Sequence, residues 1–272
     1  MIMNLKQSVK QIIPASAWNL LRKTYSTITH LPDYPSACLH PWRQESMRRL
    51  AQLKDIHAGK RAFIIGNGPS LKHTDLSRLC NEFTFGLNRI YLMFPELGFH
   101  TTYFVTVNDL VIEQCRDDIV SLPMPKFLSW RTHGLFPVGP APATFLYTTY
   151  DNPAFSRDVR WRVWESATVT YVALQLAFHM GFQQVVLIGV DHSSAVPGKA
   201  NTTIVSQGDD PNHFNPAYFG KGFRWQLPDF ETSEIGYRLA HDAYTKASRQ
   251  VMDATIGGKL TIFPKIDYLS LF

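Results

Sequence analysis

From residue 60 onward the chain repeats one arrangement: a short apolar run that closes on a small polar residue, followed by residues at helical spacing. Arg61–Ile65 closes on Gly66-Asn67-Gly68-Pro69-Ser70, the run 83–87 on Asn88, the run 102–107 on Asn108-Asp109, and the run 184–190 on Asp191. A further strand is expected over 126–130. Helices are expected near 90–97, 109–120, 168–180 and 234–255, with Gly257-Gly258 ending the last before a strand over 259–263. Continuous apolar runs, as opposed to alternating ones, belong to strands covered on both faces. Their alternation with helices predicts an α/β fold: a Rossmann-like, mostly parallel sheet with helices on both faces.

Two tracts break this rhythm. Residues 131–165 carry Gly134, Pro137, Gly139, Pro140 and Pro142, and residues 192–230 are rich in Gly, Pro, Asn and Asp. Both are expected to be long loops, which in such folds tend to carry function. Residues 1–58 form an expected helical, basic, amphipathic arm and linker, ahead of a nucleotide-binding domain over 59–272. Leu5, Val9, Ile12 and Ile13 recur at helical spacing up to Pro14, and Trp18, Leu20, Leu21 and Tyr25 form a second short pattern. Pro32, Pro35 and Pro41 then suggest a linker before a helix resumes over 42–53.

Of the 27 basic and 22 acidic residues, seven and two fall in residues 1–50, which leaves twenty of each in the remainder. The body is neutral, so a broad nucleic-acid-binding face is not expected. The basic arm suits either an anionic membrane surface or packing on the body or on a second copy. No apolar run is long enough to span a bilayer, and the first residues lack the continuous apolar stretch of a signal peptide. The three cysteines, Cys38, Cys80 and Cys115, are far apart and form no metal-binding pair. A cytoplasmic protein is expected, with the inner face of the membrane as a place of contact.

Ligands of doubly wound sheets sit beyond the carboxyl ends of the strands, where the polar residues of this chain collect. Gly66 and Gly68 suit a tight turn and close backbone approach to a phosphate, Pro69 a helix start, and Ser70 a hydroxyl donor. The loop lacks the third glycine of a dinucleotide fingerprint and the Gly-Lys-Ser/Thr of a triphosphate loop. Strand two ends in neutral Asn88 where an NAD site would place an acid. Asn67, Asn88 and Asn108 offer donors and acceptors for a sugar or a pyrimidine edge without burying charge. A second cluster holds Asp191, His192, Asp209, Asp210 and His213. His213 is the favoured general base, with Asp191 and His192 as further catalytic candidates. Asp191, Asp209 and Asp210 are alternatively ligands for a divalent ion.

The stretch Phe63–Leu71, FIIGNGPSL, together with Asn88 after FTFGL, Asn108 after TV and the later GFQQVVLIGVD, resembles the bacterial CMP-sialic-acid-dependent sialyltransferases. It is more closely similar to the motility-associated flagellin glycosyltransferases and the 6-hydroxymethylpterin diphosphokinase-like proteins. The resemblance covers roughly residues 60–264. It implies that Asn67, Ser70, Asn88 and Asn108 contact the nucleotide, and that Thr168 stands in the group's Thr-Ser-Gly position. Two features depart from the sialyltransferases. His192-Ser193-Ser194 replaces their tyrosine, and Ala217 stands where their catalytic histidine follows a His-aromatic pair. The leading expectation is a glycosyltransferase with a CMP-sugar or related donor, acting on a cell-surface or lipid-linked glycan or a protein. The alternatives are ATP-dependent diphosphoryl transfer to a pterin-like alcohol, with Mg²⁺ at Asp191 or at Asp209 and Asp210, and nucleotide binding without catalysis.

Overall fold

A computed structural model of the protein describes residues 34–136 and 143–272. The two amphipathic patterns expected before residue 30 lie outside the described residues. The chain separates into two compact units, Met1–His40 and Pro41–Phe272. The first contributes a helix, Tyr34–Leu39, where the prolines suggested a linker. Pro35 falls in its first turn, where the missing N–H has no intrahelical partner to lose.

The second unit is built on an eight-stranded sheet with the order β10-β7-β1-β2-β3-β4-β5-β6. These strands are β1 Arg61–Ile65, β2 Phe83–Leu87, β3 Tyr103–Thr106, β4 Lys126–Ser129, β5 Ala143–Thr149, β6 Arg162–Trp164, β7 Gln184–Ile188 and β10 Gln250–Asp253. The pairings that join them are all parallel. A fully parallel sheet must be covered on both faces, so its strands bury nearly every residue, as in β3, β4 and β5. Helix Val169–His179 is buried almost all round and packs beneath the sheet's centre, with helix Phe230–Lys246 alongside it. Helix Pro41–Leu53 belongs to this unit: its Ser46 Oγ receives the Phe145 N–H (2.9 Å), and Arg49 donates to the Ala143 carbonyl (2.9 Å).

Several expected elements are corrected. Strands β5 and β6 lie within the tract expected to be a loop: the glycines and prolines that suggested one end at Pro142, and the strands themselves contain neither, β5 being the Thr- and aromatic-containing run ATFLYTT. The last helix stops at Lys246, and Gln250–Asp253 forms the edge strand β10 in place of the run 259–263. The expected helix over 109–120 is two, Asp109–Gln114 and Arg116–Ser121, broken at Cys115. The insertion after β7 contains a small antiparallel hairpin, β8 Thr203–Val205 with β9 Arg224–Gln226.

The chain lays down β1 to β6 in one direction and then returns to place β7 on the other side of β1. The order therefore reverses between β1 and β7, and the two connections leaving their carboxyl ends diverge to open a crevice there.

Candidate functional site

A cleft lies at this reversal point. The loop after β1, Leu87 and Asn88 after β2, Gly189–Ser193 after β7, the start of helix Val169–His179, and residues from the insertion all line it. The two central loops are bonded to each other: the Gly66 and Gly68 N–H groups donate to the carbonyls of Ile188 (2.8 Å) and Gly189 (2.9 Å). The space that the glycines leave is filled by protein. A Cβ on Gly66 would lie 2.3 Å from the Gly189 carbonyl oxygen, and one on Gly68 would lie 1.8 Å from Asp191 Oδ2. Asp191 accepts from the Ser70 N–H (3.1 Å) on one oxygen and from Ser70 Oγ (2.7 Å) on the other. It is a brace for the glycine loop, so the glycines make room for a carboxylate where a phosphate was expected. Asn67 is the side chain of this loop that lines the cleft. It is nine-tenths buried, yet its Oδ1 has no partner among the described residues.

The insertion 192–229 closes one side. Its Phe214 N–H donates to the Asn67 carbonyl (3.0 Å), and Arg89 donates to the carbonyls of Ala217 (3.1 Å) and Tyr218. Within it, buried Asp210 receives the N–H groups of Asn212 (2.8 Å) and Phe219 (3.1 Å) and faces His213 Nδ1 at 2.7 Å. The His213 ring lies flat against Tyr218, with centroids 3.9 Å apart and an 8° interplanar angle. Asp210 thus sets both the tautomer and the orientation of His213, and Nε2 is the nitrogen left for the cleft. Asn212, also in the wall, has a buried Nδ2 without a partner. Two buried amide atoms left unsatisfied in one cleft are the mark of a polar ligand site.

Opposite stands the start of helix Val169–His179, capped by Thr168, whose side chain accepts from the Thr170 N–H (3.3 Å). Ser166 and Ala167 before it are both left-handed, with φ of 44° and 57°. Neither is glycine, so the pair carries strain of about 1–2 kcal/mol per residue. It is held by Ser166 Oγ donating to the Thr232 carbonyl (2.7 Å) and by the upstream Glu165–Arg131 pair (2.7 Å). The result aims a helix N-terminus, a site of partial positive charge, at the cleft.

Gly66, Asn67, Gly68, Asn88, Thr168, Asp191, His192 and His213 all line the cleft, while Pro69, Ser70, Asn108, Asp209 and Asp210 do not. Asn108 caps helix Asp109–Gln114 by accepting from the Val111 N–H (3.2 Å). Asn88, left-handed at φ 46°, accepts from Thr106 Oγ1 (2.9 Å). Asp210 acts one step back, through His213. The carboxylates expected to hold Mg²⁺ do not assemble into a ligand set: Asp191 is engaged by Ser70, Asp210 by three donors, and Asp209 is exposed. Among the described residues no group of three His, Cys, Asp or Glu is placed to hold a metal ion. Arg160 and Arg162, the basic residues shortly before helix Val169–His179, pair with Asp158 and Asp151 and do not line the cleft. Sequence reasoning missed Glu234, Tyr237, Ser233 and Phe230, which helix Phe230–Lys246 brings to the site. Glu234 and Tyr237 fall within the helix expected over 234–255, but Phe230 and Ser233 lie before it, because the helix starts at Phe230 behind its Asp229 cap, and the face turned to the cleft was not legible.

No helix among the described residues is long and apolar enough to cross a membrane. No family model matches the chain, and no curated relative does. Among solved structures it is similar to the MAf glycosyltransferase from Magnetospirillum magneticum AMB-1, at 14% identity and a TM-score of 0.48. The match covers 85% of this chain and 39% of that one, so the chain spans about two fifths of that protein's length.

Proposed function

We propose that the protein is a glycosyltransferase whose donor is a sugar linked to a nucleoside monophosphate, with CMP the expected nucleotide. The observation that carries this reading is the Asp210–His213 pair set in the same cleft as a helix N-terminus, with no lysine or arginine among the described residues that line it. A helix N-terminus supplies roughly half a positive charge, which suits one phosphodiester and falls far short of a triphosphate. ATP-dependent diphosphoryl transfer would draw on cationic side chains or an assembled metal site, and the described residues of this cleft supply neither. The resemblance of the FIIGNGPSL loop points the same way.

In this reading Asn67 and Asn88 meet the nucleoside, and Asn67 Oδ1 gains the donor it lacks in the protein. The acceptor hydroxyl approaches His213 Nε2, which takes its proton as the new bond to the sugar forms. Asp210 stabilises the resulting imidazolium and keeps the ring in place. The acceptor itself, a cell-surface or lipid-linked glycan or a protein, is proposed on the basic arm alone.

Isothermal titration of CMP and ATP tests the donor. CMP binding without added metal is expected, and binding of ATP with Mg²⁺ in its place overturns the reading. Donor hydrolysis tests the base: His213→Asn should slow turnover by about 10²–10⁴ while leaving CMP affinity nearly unchanged. Equal losses in both would make His213 a ligand.

A further inference from the structure

The cleft contains a second carboxylate–imidazole pair, and its geometry is the reverse of the first. His213 presents Nδ1 to Asp210 and keeps Nε2 for the cleft. His192 presents Nε2 to Glu234 Oε1 at 3.2 Å, which leaves Nδ1 as the nitrogen without a protein partner among the described residues. The His192 ring is packed edge-on by Phe230 (4.7 Å) and Tyr237 (6.1 Å). Its backbone is left-handed, at φ 55°. A bulky residue held in that conformation at the end of a central strand marks a place where orientation has been set against local preference.

Charged and titratable groups from several elements surround the two rings. Glu234 also accepts from Arg238 (2.8 Å), and the His192 hydrogen bond, with Arg238 in support, holds its carboxyl below the ordinary glutamate range. Burial pushes the Tyr237 hydroxyl up, so it stays neutral. Asp191, next in the chain, is engaged by Ser70, and Asp229 caps helix Phe230–Lys246 through Thr232 and accepts from Asn201. Around His213 stand Asp210, exposed Asp209 and neutral, buried Tyr218, with the Arg89 guanidinium 5.8 Å from the Tyr218 ring.

We infer that the two histidines divide the proton work, with His192, held by Glu234, as the acid that meets the leaving phosphate. This rests on the glycosyl-transfer reading. As the acceptor oxygen bonds to the sugar's anomeric carbon, the bond from that carbon to the phosphate oxygen breaks and its electron pair stays on that oxygen. The acceptor proton passes to His213 Nε2, and the His192 Nδ1 proton passes to the phosphate oxygen. One proton is taken and one given, and water returns the pair to its starting state.

The product nucleotide carries the same phosphate, so CMP and cytidine serve as probes. In wild type, CMP is expected to bind at least about tenfold more tightly than cytidine, the effect of a charge-assisted hydrogen bond to the phosphate. His192→Gln should remove most of that preference and leave cytidine affinity unchanged, whereas His213→Asn should keep it. Glu234→Gln should reduce the preference in part. Nitrogen-15 NMR of the wild-type imidazoles needs no variant: with CMP bound His192 should carry protons on both ring nitrogens, and CMP should shift its Nδ1 resonance where cytidine does not. Retention of the full CMP preference in His192→Gln, or an Nδ1 resonance that CMP leaves unmoved, overturns the inference while the donor reading stands. If neither CMP nor cytidine binds wild type, the donor reading fails and the inference falls with it.

Discussion

Gly68 shows how a single missing methyl group can organise a site. The Asp191 carboxylate occupies the place of its Cβ, and both carboxylate oxygens hold Ser70. Gly68→Ala must push Asp191 aside, breaking two charge-assisted hydrogen bonds. A loss of about 2–4 kcal/mol is expected by urea denaturation, together with weaker CMP binding. Removing the obstacle as well, in Gly68→Ala/Asp191→Ala, should cost less than the two single changes added together; strict additivity would mean that the two positions do not meet. Asn67 is the complementary case, a buried acceptor waiting for a donor. Asn67→Ala should lower CMP affinity by about tenfold or more with little loss of stability, since no protein hydrogen bond to its Oδ1 is broken.

At the scale of elements, the start of helix Val169–His179 is the part under tension. Ala167 sits at φ 57°, where glycine pays no steric penalty. Ala167→Gly is therefore expected to be neutral or to raise the melting temperature. Ala173→Gly, in the buried middle of the same helix, should cost about 1 kcal/mol or more. The same loss at both positions would show that the left-handed turn carries no strain. The insertion is fastened in the same economical way. Gln114 donates to the Arg224 carbonyl (2.8 Å) and accepts from its N–H (2.8 Å), so one side chain clips β9 onto helix Asp109–Gln114.

For the whole molecule, His57 couples stability to pH. Its ring is wedged among Phe83, Tyr103 and Phe182 at the amino-end side of the sheet, and its Nε2 lies 2.7 Å from the Tyr103 hydroxyl. Burial holds its pKa below the ordinary histidine value. The unfolded chain therefore takes the proton first. Stability present above a pH of about 6.5 is lost as the pH falls from there toward the folded-state value. The urea midpoint should decline between pH 7 and 5.5, and His57→Gln should flatten that decline; an unchanged slope would assign it to other groups. The basic arm makes a separate prediction: removing residues 1–40 should leave the α/β unit folded and reduce sedimentation with anionic vesicles. Undiminished sedimentation would end the membrane proposal.

The strands β1, β2, β3, β4 and β7 were legible because each is a continuous apolar run, and a run of that kind needs cover on both faces whatever its neighbours. Since the sheet is parallel, the polar residues that end those runs had to arrive on one edge, which is why Asn67, Asn88, Asp191 and His192 were found together. Strand β5 was hidden by the glycines and prolines just before it, although its own residues favour a strand, and β6 and β10, three and four residues long, show as strands only through their pairing. The chemical roles at the site were decided by contacts between distant parts of the chain. Ser70 reaches Asp191 across 121 positions, and His192 reaches Glu234 across 42. Residue type and spacing said which groups were able to carry charge and protons; only the closing of the sheet determined which carboxylate braces a loop, which orients an imidazole, and which nitrogen is left to act.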